Sequence, residues 1–222
     1  GFSFIRNNEK KHIWVGMARE TAHQLGTPVS ALMGWVDWLR EHPEKIEEII
    51  PEMEMDLLRL EQISRRFSKM GTKSDFEEFD LSERIERIVD YLNKRLPSFG
   101  KKVILRNDID PGIIIFANGS LLAWSIENII RNGIDAIERD DGMVSVSLRK
   151  YDDNIKIRIQ DNGRGIPKKD WKNIFRPGFS TKKAGWGLGL SLSSRIIEDI
   201  HGGQLKVYES NNDVGTTLEI SL

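Results

Sequence analysis

The 222-residue sequence predicts an α+β chain: an N-terminal antiparallel helical hairpin over 1–72, followed by an α/β sandwich over 73–222. Three observations predict it. Before Gly71 apolar residues recur at alternating spacings of three and four along two long segments, the mark of helices that share a greasy stripe. Period-two alternation bounded by turn residues appears only after Asp75, the mark of strands. A glycine-rich stretch from Asp161 to Gly189 separates a strand hairpin from a last helix.

The first helix carries Val15, Ala18, Ala22, Leu25, Val29, Leu32, Val36 and Leu39 on its seam, and the second carries Ile46, Ile50, Met53, Leu57, Leu60, Ser64 and Phe67. Glu41-His42-Pro43-Glu44 makes the turn, with proline at the new helix start. A lone hairpin cannot hide both stripes, so two copies are expected to form a dimeric four-helix bundle. Packing on the C-terminal domain is the alternative. Gly71-Thr72-Lys73-Ser74 ends the second helix and reads as a linker.

Residues 76–80 read as a short strand, and Leu81–Leu96 as an amphipathic helix capped by Asp80 or Ser82. Strands at Val103–Leu105 and Ile113–Phe116 flank an Asp110-Pro111-Gly112 turn. Ser120–Glu138 is a helix, and Met143–Arg149 with Asn154–Gln160 a hairpin. A helix to about His201, closed by Gly202-Gly203, precedes final strands at 204–209 and 215–221.

Composition excludes several functions. With 33 basic against 34 acidic residues, the net charge of −1 argues against a nucleic-acid binder working through a basic face. With no cysteine there is no disulfide, thiolate metal site or cysteine nucleophile. No apolar run approaches the ~20 residues that span a bilayer. The chain begins at Gly1 without methionine and is read as a fragment of a longer protein.

Three motifs carry candidate chemistry. In Asp161-Asn162-Gly163-Arg164-Gly165, glycines 163 and 165 let the backbone turn tightly beside a ligand. Asp161 there suits an exocyclic amine such as that of adenine, although a solvated turn fits the motif equally well. Gly185-Trp186-Gly187-Leu188-Gly189 opens a helix, and free N–H groups backed by the helix dipole suit an anion. It is not the dinucleotide fingerprint, which needs a strand directly before it. In Asn128-Ile129-Ile130-Arg131-Asn132, the two asparagines share a helix face, with Ile126, Ile130 and Ile137 opposite. Paired amide oxygens suit a hydrated Mg²⁺ beside phosphates, and ordinary solvated asparagines are the alternative.

The order of these motifs, closed by Gly215-Thr216-Thr217, resembles the ATP-binding domain shared by histidine kinases, type II topoisomerases, Hsp90 chaperones and mismatch-repair ATPases. The resemblance covers 75–222. Ile174–Lys182 resembles the phenylalanine-containing lid of histidine kinases. The resemblance implies ATP and Mg²⁺ as cofactors. Asn128 and Asn132 then serve the metal, Asp161 reads adenine and Thr216 supports Asp161. Gly185, Gly187 and Gly189 wrap the phosphates, and Lys182 reaches them from the lid.

In the hairpin, His23 lies beside the seam in Glu20-Thr21-Ala22-His23-Gln24-Leu25-Gly26-Thr27-Pro28 and should project outward. Pro28 inside a helix costs about 3 kcal/mol or more. The segment resembles the histidine-kinase phosphoacceptor box, His-Glu/Asp-Leu-Arg/Lys-Thr-Pro, and departs from it at Gln24 and Gly26. The family's acid takes a proton as imidazole attacks phosphorus. Gln24 can only hydrogen-bond, so either ring orientation suffices or Glu20, one turn earlier, substitutes.

The resemblance thus implies a sensor histidine kinase in which His23 accepts phosphate from ATP and passes it to an aspartate of a response-regulator receiver domain. The family's partner docks below the histidine, near Ala31, Trp35 and Trp38, though packing on the neighbouring helix explains the tryptophans as well. Thr27 matches the position that orients water for a phosphatase reaction. A homodimer on the cytoplasmic side of a membrane-anchored parent is expected. A conformational ATPase and a catalytically weak scaffold stay open. Against the ATPase, Asn128 occupies the position of the water-activating glutamate, and Glu127 is one residue off it.

Overall fold

In the computed structural model of the chain, residues 2–71, 76–99, 102–179 and 189–222 are described. Among these, the side chains at 2–14, 16, 17, 19–21, 23, 24, 62, 65–71, 98 and 99 are outside the description. The chain divides into two compact units, Trp14–Lys73 and a second made of Gly1–Ile13 and Ser74–Leu222. Mixed α+β architecture is therefore observed as expected. The linker expected at 71–74 falls largely on residues outside the description.

Two helices make the hairpin, α1 (Phe2–Glu41) and α2 (Ile46–Gly71), joined by a 3-10 turn at Pro43–Lys45. The single seam expected from the spacing divides in two. Pro28, Ile49 and Asp56 are buried, and Leu25, Leu32, Trp35, Leu39, Met53, Leu60 and Ile63 are half-buried. These positions alternate three and four apart and mark the face the helices share. Trp35 Nε1 donates across it to Asp56 Oδ2 at 3.3 Å, and Arg59 pairs with Asp56 at 3.1 Å. Trp35 thus ties the two helices of the hairpin, the alternative of packing on the neighbouring helix that the sequence leaves open for it. Val15, Val29, Val36, Ile46, Ile50 and Leu57, all counted in the expected seam, stay exposed.

In the second unit a five-stranded sheet runs in the order β2 (Val103–Ile109), β4 (Gly142–Tyr151), β5 (Asn154–Asp161), β7 (Gly215–Ser221), β6 (Gln204–Asn211). β2 pairs parallel with β4, and the remaining pairs are antiparallel. A separate ribbon pairs β1 (Glu77–Asp80) with β3 (Ile114–Ala117). Val144, Val146, Leu148, Ile157, Ile159 and Ile220 bury one sheet face against α3 (Leu81–Arg95), α4 (Gly119–Ala136) and α5 (Gly189–Arg195). From the helices come Leu81, Ile85, Leu92, Leu122, Ile126, Ile130 and Ile197. A Leu or Ile fully buried this way contributes roughly 1.5–3 kcal/mol.

The caps explain where the helices start. Asp80 accepts from the Glu83 amide at 3.1 Å, and Asn118 from that of Leu121 at 3.1 Å. Ser82, the other candidate cap, is buried instead, donating to the Asp110 carbonyl at 2.7 Å and accepting from the Ile113 amide at 3.1 Å. β2 extends four residues beyond the strand expected at 103–105. The last helix reaches His201 through a π-helical turn, Ile196–Ile200. On the outer sheet face Glu219 is covered by Lys156, Arg158 and Lys206, at 3.1, 2.8 and 3.4 Å. Burial works to raise its pKa, but bonds from Arg158 and Lys156 prevail and hold it below the ordinary glutamate value.

Candidate active site

β5 ends on Asp161, paired with Val144 on one side and Thr216 on the other. The period of two puts residue 161 on the same face as Ile157 and Ile159, toward the helices. There it meets α4 at Gly133, where an added Cβ would lie 3.4 Å from the Asp161 Cβ and 3.7 Å from Oδ2. A helix residue with no side chain thus makes room for a carboxylate. Asp161 is only 8% exposed. Burial pushes its pKa up to about 6, against the pull of the Gly163 and Thr216 amides and the Arg164 charge. The Gly163 amide donates to Oδ1 at 2.8 Å. Thr216 supports Asp161 through its backbone, while its hydroxyl pairs with Ser210 Oγ at 2.8 Å.

The loop after Asp161 is tied on three sides. Asn162 holds β4: its Oδ1 accepts from the Met143 amide at 2.7 Å and its Nδ2 donates to the Asp141 carbonyl at 2.8 Å. The Arg164 amide donates to the Ala136 carbonyl at the end of α4, at 3.1 Å. On the β6–β7 side, the Asp213 amide donates to the Arg164 carbonyl at 2.9 Å, and the Ile166 amide to Ser210 Oγ at 2.7 Å. Gly165 has φ +76°, and a Cβ there would lie 2.0 Å from the Asn211 carbonyl oxygen. No L side chain fits that approach.

α4 and α5 carry the remaining described groups. Asn128 Nδ2 donates to the fully buried Ser193 Oγ at 3.0 Å. Gly189, at the start of α5, backs the same amide: a Cβ there would lie 2.8 Å from Asn128 Oδ1. Asn132, one turn along α4, is half-buried. Glu127 pairs with Arg131 at 3.8 Å, one turn along the helix. Where α4 begins, the Asn118 amide donates to His201 Nε2 at 3.2 Å, and His201 Nδ1 lies 2.7 Å from the Ile196 carbonyl. Burial holds His201 below the ordinary imidazole pKa. The neutral ring, protonated on Nδ1, satisfies both contacts.

The structure therefore brings Asp161, Gly163, Gly165 and Thr216 together, and sets Asn128 against Gly189. Lys182, Gly185 and Gly187 lie outside the described residues. Of the expected lid, Ile174 is buried and Phe175 and Phe179 pack on the core, while 180–182 fall outside the description. His23 and Gln24 lie on α1 with side chains outside the description, and Thr27 is exposed. Trp38 is exposed and lies against His42, with ring centroids 4.7 Å apart and planes tilted by 46°. Asn162, Ser193 and His201 are the groups whose roles the sequence did not disclose. Each works through one cross-element hydrogen bond or pair of bonds, which spacing along the chain does not register.

Among the described residues no three His, Cys, Asp or Glu side chains group as a metal cage. The amide oxygens of Asn128 and Asn132 are neutral donors, which fits an oxygen-preferring ion whose charge is met by phosphates rather than by protein carboxylates.

The chain is similar to known proteins along its length. Residues 118–222 match the family described as Histidine kinase-, DNA gyrase B-, and HSP90-like ATPase. The chain is 26% identical to Sporulation kinase B of Bacillus subtilis (strain 168) over 234 residues, 99% of this chain and 52% of that protein. It matches the solved catalytic domain of histidine kinase ThkA with a TM-score of 0.58 and 25% identity, over 67% of this chain and 95% of that one. The solved histidine kinase ThkA in complex with response regulator protein TrrA shares the fold over 97% of this chain and 63% of that one, with a TM-score of 0.66 and 23% identity. Residues 118–222 thus carry a domain of this ATPase family, and the chain's relatives are histidine kinases. The chain spans about half the length of Sporulation kinase B.

Proposed function

We propose that the chain is the catalytic core of a sensor histidine kinase, moving the γ-phosphoryl group of ATP to His23 and then to an aspartate of a response regulator. Residues 73–222 bind nucleotide and 1–72 supply the dimer and the phosphoacceptor. The observation that carries the reading is the buried Asp161 carboxylate, seated against Gly133 at the mouth of a tied glycine loop. A desolvated acceptor of that kind matches a planar amine donor, and adenine presents one. Asn128 and Asn132 offer amide oxygens to Mg²⁺, which when bound neutralises phosphate charge. Backbone amides of the loop ending at Gly189, with Lys182, meet the phosphate oxygens.

Transfer is in line. A neutral imidazole nitrogen of His23 attacks the γ-phosphorus, a P–N bond forms, and the bond to the β,γ-bridging oxygen breaks with its electron pair leaving on ADP. The proton on the other ring nitrogen then departs. Either Gln24 orients the ring and no further base is needed, or Glu20, one turn earlier in the sequence, takes that proton.

Several observations support the remaining parts. Val29, Val36, Ile46, Ile50 and Leu57 leave an apolar stripe exposed on the hairpin, which a second copy would cover as a four-helix bundle. Thr27 is exposed one turn after His23, which supports the role the family resemblance gives it, orienting water for dephosphorylating the partner. The complex of histidine kinase ThkA with response regulator protein TrrA supports a receiver domain as partner here. No helix among the described residues is long and apolar enough to cross a membrane. Work on the cytoplasmic side of a membrane-anchored parent rests on the family resemblance.

Incubation with γ-labelled ATP and Mg²⁺ tests the reading. The expected result is label on the protein that is labile in acid and stable in base. Steady phosphate release with no labelled protein would replace it with a conformational ATPase.

A further inference from the structure

We propose that Ser193 is a positioning residue that orients the Asn128 amide, so that helix α5 sets the aim of a metal-facing group on helix α4. The proposal rests on the assignment of Asn128 to Mg²⁺ made above.

An asparagine amide has two chemically opposite ends, and only its oxygen can serve a cation. Rotation by half a turn about its last bond exchanges them at little steric cost. Something must break that symmetry if Oδ1 is to be presented. A cation that demands the oxygen does so together with the Ser193 hydroxyl, which accepts from Asn128 Nδ2 at 3.0 Å and so keeps the nitrogen paired while Oδ1 faces the ion. Ser193 is 0% exposed, so water does not compete for the bond. Gly189 adds a second constraint. The space a Cβ would fill there is 2.8 Å from Asn128 Oδ1 and 3.0 Å from Nδ2, so the start of α5 lies close against the end of the amide only because residue 189 has no side chain.

Both contacts come from α5, the helix that follows the glycine loop. At its far end the same helix run is tied to α4 again, where His201 accepts the Asn118 amide at 3.2 Å. Two polar ties therefore bracket the interface between α4 and α5. A displacement of the start of α5 would be felt at Asn128 directly.

Ser125 is a built-in comparison. It lies on the same helix as Asn128, is as buried as Ser193, and its Oγ has no hydrogen-bond partner. Removing that hydroxyl relieves an unmet group rather than breaking a bond.

The test is binding of a non-hydrolysable ATP analogue to the full chain by calorimetry, with Mg²⁺ varied and with Mg²⁺ absent. Ser193→Ala is expected to raise the Mg²⁺ concentration for half-maximal tightening about 10-fold, as loss of an outer-shell partner does. Analogue affinity without Mg²⁺ should be unchanged. Ser125→Ala should match the wild type in both, and Ser193→Ala added to Asn128→Ala should have no further effect. A wild-type Mg²⁺ dependence in Ser193→Ala, with Asn128→Ala altered, overturns the proposal and leaves Asn128 on the metal. A wild-type dependence in Asn128→Ala overturns both.

Discussion

Asp161→Asn is expected to abolish useful nucleotide binding while making the empty domain more stable. The two effects share one cause. Burial raises the Asp161 pKa from 3.8 to about 6, so the folded state holds its proton more tightly than the unfolded chain does. Stability therefore falls as pH rises from the unfolded value through the folded one, and above about 6 the ionised carboxylate is a full burden on the fold. A rise of about 2 pH units corresponds to about 3 kcal/mol. Asparagine carries no charge to desolvate and its Oδ1 can still accept from Gly163, while the Thr216 amide loses its acceptor and offsets part of the gain. Thermal unfolding at neutral pH should show a gain of about 1–3 kcal/mol that vanishes toward pH 4. Binding goes the other way. The amide nitrogen introduced by the substitution would meet the adenine amine donor to donor. Losing a charge-assisted bond while leaving a donor unmet is worth about 3 kcal/mol, or about 100-fold in affinity. In the wild type, affinity should fall as pH drops below about 6 because the acceptor becomes protonated. A variant that binds ATP normally would remove Asp161 from the site.

Gly215→Ala should be the most damaging single methyl among the described glycines of the second unit. Gly215 has φ +134°, and a Cβ there would lie 1.9 Å from the Asp161 carbonyl oxygen and 2.9 Å from the Asn162 Cα. Both neighbours are backbone, so no side chain can swing aside. Relief requires β7 to separate from β5 where Thr216 pairs with Asp161. Overpacking and an unfavourable φ act together, and about 4 kcal/mol or more should be lost in denaturant unfolding. Nucleotide binding should fail even where the domain still folds, because the Asp161–Gly163 turn moves with the strand. A loss under about 1 kcal/mol would show that the strands are not packed this closely.

Much of this is legible in the sequence for a physical reason. A site that needs a strand-end carboxylate, glycines that let backbone approach, and asparagines one helical turn apart leaves each requirement as a residue type at fixed spacing. Asp161, Gly163, Gly165, Asn128 and Asn132 can be named that way, and their order points to the family. Contacts that depend on two distant elements leave no such trace. Ser193 reads as one serine among several on an ordinary helix until α4 is laid beside it. His201 reads as a helix end, and its bond to Asn118 spans 83 positions. The hairpin departs from its expected seam for a different reason. Each helix carries two adjacent apolar stripes, and a three-four spacing passes through both. Counting Val29 and Val36 with Leu32 and Leu39 merges the stripe facing α2 with the one left exposed. Pro28 and Trp35 belong to the inner face, where the sequence suggests a kink at Pro28 and leaves Trp35 open between a docking contact implied by the family resemblance and packing on the neighbouring helix.

The measurement that bears most directly on the central claim is where the phosphoryl group resides. The chain should be incubated with γ-labelled ATP and Mg²⁺ beside His23→Ala and His23→Gln, with nucleotide affinity measured for all three. The account predicts acid-labile label on the wild type, none above background on either variant, and unchanged ATP affinity, because His23 takes part in transfer and not in binding. Acid-labile label retained in His23→Ala would contradict it.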